Sequence, residues 1–182
     1  DAPPVDRPNL SKDYLDGSAP EDWVPLRPRD YYAEQRIDLR LDSRVAAIDT
    51  QARELELGDG SRVAFDRLLL ATGAEPVRLT IPGMDLPHVH TLRSLADTRA
   101  IIAGAATARS AVVMGAGFIG LEVAASLRKR GLEVHVVAPD KRPMERMLGP
   151  EMGDFVRGLH EAHGVVFHLE DAATAIEAHQ VR

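Results

Sequence analysis

The sequence predicts an α/β protein in which an antiparallel β-meander precedes a parallel βαβ domain. Three observations predict it. Apolar residues alternate with period two between Ile37 and Phe65, interrupted by the turn-forming Gly58-Asp59-Gly60. Beyond Ser94, short apolar runs alternate with helix-length segments, as strands joined by parallel crossovers do. A glycine-rich turn, Gly115-Ala116-Gly117-Phe118-Ile119-Gly120, joins the first of those runs to the helix after it.

The 182 residues hold one ordinary domain or parts of two. With 45% hydrophobic and 27% charged residues the chain reads as globular, not as a disordered tail. Aromatics make up only 4%, so Ala, Val, Leu and Ile build the core, which suits tightly packed α/β layers. A net charge of −6, with arginines scattered among acids, argues against a nucleic-acid surface. The absence of cysteine excludes a disulfide framework, thiolate metal sites and a redox dithiol in this span. It is compatible with a reducing compartment, and the expected location is cytoplasmic. The most apolar run, Ala111–Leu127, contains Glu122 and three glycines and is shorter than a spanning helix. No membrane segment or signal peptide is expected, and Asp1-Ala2-Pro3-Pro4 reads as a loop of something longer.

Residues 1–35 are rich in Pro, Asp and Arg, with too little apolar surface to fold alone. Ser11 is placed to cap a turn through Lys12–Leu15, and Asp30–Gln35 predicts another brief helix. Strands are expected at Ile37–Leu41, Val45–Ile48, Leu55–Leu57 and Val63–Phe65, with a hairpin turn at Gly58-Asp59-Gly60. Leu68-Leu69-Leu70-Ala71 predicts a continuous buried strand, stopped by Thr72-Gly73. Pro76, Pro82-Gly83 and Pro87 make Glu75–His90 a linker. Ser94 then caps a helix over Leu95–Ala108, with Asp97 suited to its first turn. After it come a strand (Ser110–Met114), a helix (Phe118–Arg130), a strand (Leu132–Val137), a helix (Glu151–His163) and a strand (Val165–Leu169).

The glycine turn carries most of the functional information. Gly115 permits the tight turn off the strand, Gly117 lets backbone approach a pyrophosphate, and Gly120 lets the helix pack close to the sheet. The helix N-terminus presents unpaired N–H groups and a positive dipole end to a diphosphate. This is the fingerprint of a Rossmann-like dinucleotide-binding unit, the bland alternative being a strand–glycine–helix turn with no ligand. The ribose-binding acid expected after Val136-Val137 is replaced by Ala138, with Asp140 two residues on. Asp140 reaches the ribose if the loop bends back, whereas Lys141 and Arg142 would instead meet a 2′-phosphate. Gly120, the tighter form of the third position, favours NAD, with NADP possible.

With these residues in hand, the chain resembles the FAD-dependent pyridine-nucleotide reductases. It looks closest to the putidaredoxin, rubredoxin and ferredoxin reductases and their apoptosis-inducing-factor-like relatives. Asp6-Arg7-Pro8-Asn9-Leu10-Ser11-Lys12 resembles the segment after that family's first FAD-binding unit. The resemblance implies that Arg7 neutralises the FAD diphosphate, that Ser11 belongs to the same site, and that Lys12 lies near the reactive edge of the flavin. Leu68–Gly73, with Ala74 and Pro76, is similar to the strand and turn closing the first part of the FAD domain, which implies FAD contacts at Ala71, Thr72 and Gly73. Ile81-Pro82-Gly83 fits the crossing into the NAD domain. Gly115–Glu122 looks like that domain's phosphate turn, with Ile119 in the turn and Phe118 and Glu122 implied to lie near the nicotinamide.

The resemblance thus implies a partial FAD-binding domain over residues 1–90, lacking its first βαβ unit. Residues 91–182 then form an NAD(P)-binding Rossmann domain lacking its C-terminal part. The chain reads as the middle of such an enzyme and is expected to bind FAD poorly by itself. The implied activity is hydride transfer from NADH to FAD, then electron delivery to a small iron–sulfur partner (ferredoxin, rubredoxin or Rieske-type). No side-chain nucleophile or general base is required, because the cofactors carry the chemistry. Two rival readings are a dinucleotide-binding sensor or interaction module of apoptosis-inducing-factor type, and a flavin monooxygenase-like protein.

Other residues have plainer readings. Arg7 and Lys12, taken alone, are solvated charges beside a Pro-rich loop. His160, His163 and His168 lack the further ligands that zinc wants and read as surface histidines. Phe118 reads equally as a packing residue. Glu122, a carboxylate inside an apolar segment, needs a partner wherever it points.

Overall fold

The computed structural model describes residues 3–182, so the expected loop at Asp1-Ala2 lies outside the described residues. In chain order the regular elements are helices α1 (Asp13–Asp16) and α2 (Arg29–Glu34), then strands β1 (Val45–Asp49), β2 (Glu54–Leu57) and β3 (Arg62–Ala64). Helix α3 (Leu95–Ala105), strand β4 (Ser110–Met114), helix α4 (Phe118–Lys129), strand β5 (Glu133–Ala138), helix α5 (Glu145–Ala162) and strand β6 (Val165–Leu169) follow. They form two compact units: the residues up to Val5 with Pro25–Glu75, and Asp6–Val24 with Pro76–Arg182.

In the first unit, β1, β2 and β3 make the expected antiparallel meander. Local turn chemistry sets its register. Asp59 Oδ1 accepts from the backbone N–H and hydroxyl of Ser61, and Gly60 takes the left-handed conformation at φ 82°. At the other turn Asp49 Oδ1 accepts from the N–H groups of Gln51 and Ala52. The meander is shallow: all five residues of β1 are exposed, and among its strands only Leu57 is buried. The expected helix at Asp30–Gln35 is α2, whose start follows Pro28.

Two expected strands do not form. Ile37–Leu41 joins no ladder and lies between left-handed residues at Arg36 (φ 57°) and Asp42 (φ 53°). Leu68–Ala71 also pairs with nothing among the described residues, and Leu69 and Leu70 are 86% and 64% exposed. The reason is shared. Alternation and apolarity report that a segment suits a strand, but a strand exists only through ladder hydrogen bonds to a neighbour.

The second unit is built on a parallel sheet in the order β4-β5-β6. Helices α4 and α5 are the crossovers, and the core gathers on the α4 side of the sheet. Val134, Val136 and Ala138 of the central strand are essentially fully buried there, against Ala124, Leu127 and Leu15. Burial of each valine stabilises by roughly 1.5–3 kcal/mol. Helix α3 begins with the expected cap: Asp97 N–H donates to Ser94 Oγ, and Asp97 Oδ2 accepts from Ser94 N–H. It ends at Ala105 rather than Ala108.

Helix α5 begins six residues earlier than the expected Glu151. Gly149 (φ 80°, ψ 172°) interrupts it, and Pro150 opens the second part, where its missing N–H costs nothing. The linker Glu75–His90 carries no helix or strand. It is pinned by Ile176 N–H donating to Pro82 O at 2.8 Å, and a Cβ on Gly83 would lie 2.0 Å from Ile176 O. No helix among the described residues is long and apolar enough to cross a membrane.

Candidate dinucleotide-binding site

The glycine turn leaves the end of β4 beside the central strand, with Gly115 N–H donating to Val137 O at 2.8 Å. Gly115 sits at φ 112°, a conformation that side-chain-bearing residues rarely adopt. The three glycines do different work. A Cβ on Gly120 would lie 2.1 Å from Gly115 O, so the first turn of α4 packs directly on the loop backbone. Cβ atoms on Gly115 or Gly117 would meet nothing within 4 Å. That open ground lies at the start of α4, whose N-cap is Gly117 with no side chain capping the first turn. Phe118 and Ile119, half exposed, flank it. The turn therefore suits a diphosphate, with space where backbone must approach the ligand and contact where helix must approach loop.

One turn into α4, Glu122 has the partner that its apolar setting demanded. Lys12 Nζ lies 2.8 Å from Glu122 Oε1, and Ser11 Oγ donates to Glu122 Oε2 at 2.6 Å. Ser11 is thus not the cap of α1. Its hydroxyl turns to Glu122 and Pro8 O, and α1, whose N-cap is Lys12, has no side-chain cap. The chain from Leu10 to Asp16 runs along α4. Ser126 Oγ donates to Ser11 O, Lys129 pairs with Asp16 at 2.9 Å, and Arg130 donates to Leu15 O. Asp16 responds to this setting: burial would raise its pKa, but hydrogen bonds from Ser18 and Lys129 outweigh that and hold it below the usual range.

The remaining predicted residues take no part in this pair. Arg7 opens a 3₁₀ turn, Arg7–Leu10, and its side chain is exposed without an ion pair among the described residues. Ala71, Thr72 and Gly73 are exposed and belong to the other compact unit. Asp140 lies in the loop after β5, and its Oδ1 is 3.0 Å from Arg146 Nε. Ala138, where an acid was sought, is buried at the end of β5. Arg142 is engaged by Asp154 at 2.7 Å and Glu145 at 3.2 Å. It and Lys141 line a shallow cavity of about 420 Å³ between the loops after β5 and β6, to which no residue of the glycine turn contributes.

Sequence reading missed Thr98, Ser126 and Arg146. Ser126 left a signal, a lone hydroxyl on the small apolar face Ala124-Ala125-Leu127. Thr98 and Arg146 left none.

The family described as pyridine nucleotide-disulphide oxidoreductase matches residues 1–182. The chain belongs to that family. Among the chain's relatives, rhodocoxin reductase of Rhodococcus erythropolis is 42% identical over 175 residues, covering 96% of the chain and 41% of the relative. Rubredoxin-NAD(+) reductase of Pseudomonas putida is 36% identical, covering 96% and 45%. Two solved structures superpose with a TM-score of 0.91. One is a ferredoxin reductase from Rhodopseudomonas palustris, 36% identical, covering 98% of this chain and 45% of that one. The other is a covalent putidaredoxin reductase–putidaredoxin complex, 34% identical, covering 97% and 43%. The chain spans less than half the length of these relatives. Membership of the pyridine nucleotide-disulphide oxidoreductases, together with NAD(+)-reductase relatives, implies FAD and NAD(H) as cofactors.

Proposed function

We propose that the protein to which this chain belongs is an FAD-dependent NADH oxidoreductase that supplies electrons to a small iron–sulfur protein, and that it works in the cytoplasm. One observation carries the reading: the open phosphate turn at Gly115–Gly120 begins the same helix whose Glu122 is ion-paired to Lys12. The names of its relatives, reductases for ferredoxin and rubredoxin, support the partner class. Residues 1–90 contribute to the FAD side and residues 91–182 to the NAD side.

In this reading the N–H groups at the start of α4, over Gly115 and Gly117, hold the NADH diphosphate, and Asp140 serves its ribose. Arg7 and Ser11, together with Ala71, Thr72 and Gly73, serve FAD. Lys12, Phe118 and Glu122 border the place where nicotinamide meets flavin. When bound, the cofactors supply hydride transfer and its division into single electrons. The chain's own part is positioning: Gly120 locks the turn, and Lys12 with Glu122 presents a fixed charge pair to the reacting rings.

The test uses the full-length protein with flavin bound. NADH mixed anaerobically should bleach the oxidised flavin absorbance, and a reduced ferredoxin-type acceptor should then accumulate. A protein that binds NADH but reduces no iron–sulfur acceptor is instead a sensor or interaction module. Oxygen uptake coupled to substrate hydroxylation would identify a monooxygenase.

A further inference from the structure

The buried polar side chains among the described residues are Ser11, Thr98 and Ser126, and all three converge on one stretch of backbone. Thr98 Oγ1, on α3, lies within hydrogen-bond distance of Leu10 O at 3.2 Å and shares its proton with Ser94 O at 3.3 Å. Ser126 Oγ, on α4, donates to Ser11 O at 2.7 Å and lies 3.4 Å from Lys12 O. Ser11 Oγ donates to Glu122, the partner of Lys12. Burying a hydroxyl is costly unless it is hydrogen-bonded, and apolar side chains would meet the packing needs of these positions alone. The hydroxyls do something that packing does not: they fix, from two helices, the successive carbonyls leading into Lys12.

We infer that Thr98 and Ser126 are positioning residues that act through Lys12, holding its backbone so that its ammonium group meets Glu122 one turn from the phosphate turn. The inference rests on the proposed reading in which Lys12 borders the flavin. Lys12 Nζ sits at the end of a four-carbon stem whose freedom is large. A fixed Cα and a fixed Glu122 carboxylate together narrow where the charge can be. Without the Ser126 anchor the 10–12 backbone relaxes, and the ammonium group spends less time against Glu122.

The experiment compares full-length, flavin-loaded Ser126→Ala, Thr98→Val, Lys12→Met and Ser126→Ala/Lys12→Met proteins, with Ser126→Thr as the variant that keeps the donor. The readouts are the visible flavin spectrum, the flavin midpoint potential, and kcat and KM for NADH. The expected result is that Ser126→Ala and Thr98→Val shift spectrum and midpoint in the direction of Lys12→Met but less far. They should lower kcat by about three- to tenfold with KM for NADH nearly unchanged. Ser126→Ala should add nothing once Lys12 is Met, and Ser126→Thr should restore the spectrum. If both hydroxyl variants lose only thermal stability while Lys12→Met shifts the flavin, the inference is overturned and the proposed function stands. Full additivity in the double variant overturns it equally. If Lys12→Met leaves the flavin unchanged, the placement of Lys12 fails and the inference falls with it.

Discussion

Lys12 and Glu122, from opposite ends of the sequence's functional motifs, meet at 2.8 Å on the flank of the helix that the glycine turn opens. The lysine side chain is 47% exposed and the glutamate 27%, so the pair is solvated on one side. Such a pair contributes about 0–1 kcal/mol to stability, and it does not account for the fold. In the proposed reading its effect belongs to the site. Glu122→Gln should change the melting temperature little and slow flavin reduction by NADH about tenfold in the full-length protein, as loss of one charge-assisted contact does. Stopped-flow flavin bleaching checks it, and an unchanged rate would remove Glu122 from the site.

The glycine turn separates a ligand effect from a folding effect. At Gly117 the backbone is extended (φ −84°, ψ −177°) and a Cβ meets nothing, so Gly117→Val should leave stability within about 1 kcal/mol of the parent. It should nonetheless abolish NADH binding, because in the proposed reading the side chain would occupy the diphosphate's approach. Gly120→Ala puts a methyl group 2.1 Å from Gly115 O and should destabilise by about 1–3 kcal/mol while also weakening binding. Calorimetric titration with NADH beside denaturant unfolding distinguishes the two. Equal destabilisation by both variants would contradict the assignment.

Glu21 ties the stretch before Val24 to α3. Hydrogen bonds from Arg99 first, then Tyr14, hold its pKa at about 2, below the ordinary 4.5. A depressed carboxylate stabilises the fold above its unfolded pKa, and that stability drains as pH falls through the window from about 4.5 to about 2. The side chain is 46% exposed, so the effect is small. Thermal melts across that window should fall less steeply for Glu21→Gln than for the parent. Parallel curves would show that the contact carries no linkage.

His160 behaves in the opposite pH range. Burial first, and the neighbouring His163 second, push its pKa below 6.5, and its ring meets Phe167 edge-on at 6.2 Å. The folded state therefore prefers the neutral imidazole. Its contribution is complete above about 6.5 and declines as pH falls below that value, where the unfolded chain takes up the proton first. His160→Gln should flatten the decline between neutral pH and the acid side of that value. A ring titration at or above the ordinary histidine value, followed by NMR, would refute it.

Much of the second unit was legible because its signals are local. Ser94 and Asp97 make a capping box from four adjacent residues, Ser110–Met114 and Val165–Leu169 are strands at their expected bounds, and the glycine turn has the geometry its spacing implied. Helix α5 was half legible. The helix expected from Glu151 is its second part, but Met144, left-handed at φ 53°, starts it earlier through a conformation that no nearest-neighbour pattern announces.

The sequence by itself determined the class of the fold, the glycine turn and the need of Glu122 for a partner, because each rests on residues within one turn or one strand. The tertiary structure alone decided who that partner is. Ser11 and Lys12 sit more than a hundred residues from Glu122, and their meeting depends on the 6–24 stretch joining the 76–182 unit. It also decided which extended segments became strands. Leu68–Ala71 has the composition of a central strand yet pairs with nothing among the described residues, since period and apolarity describe one segment whereas a ladder requires two.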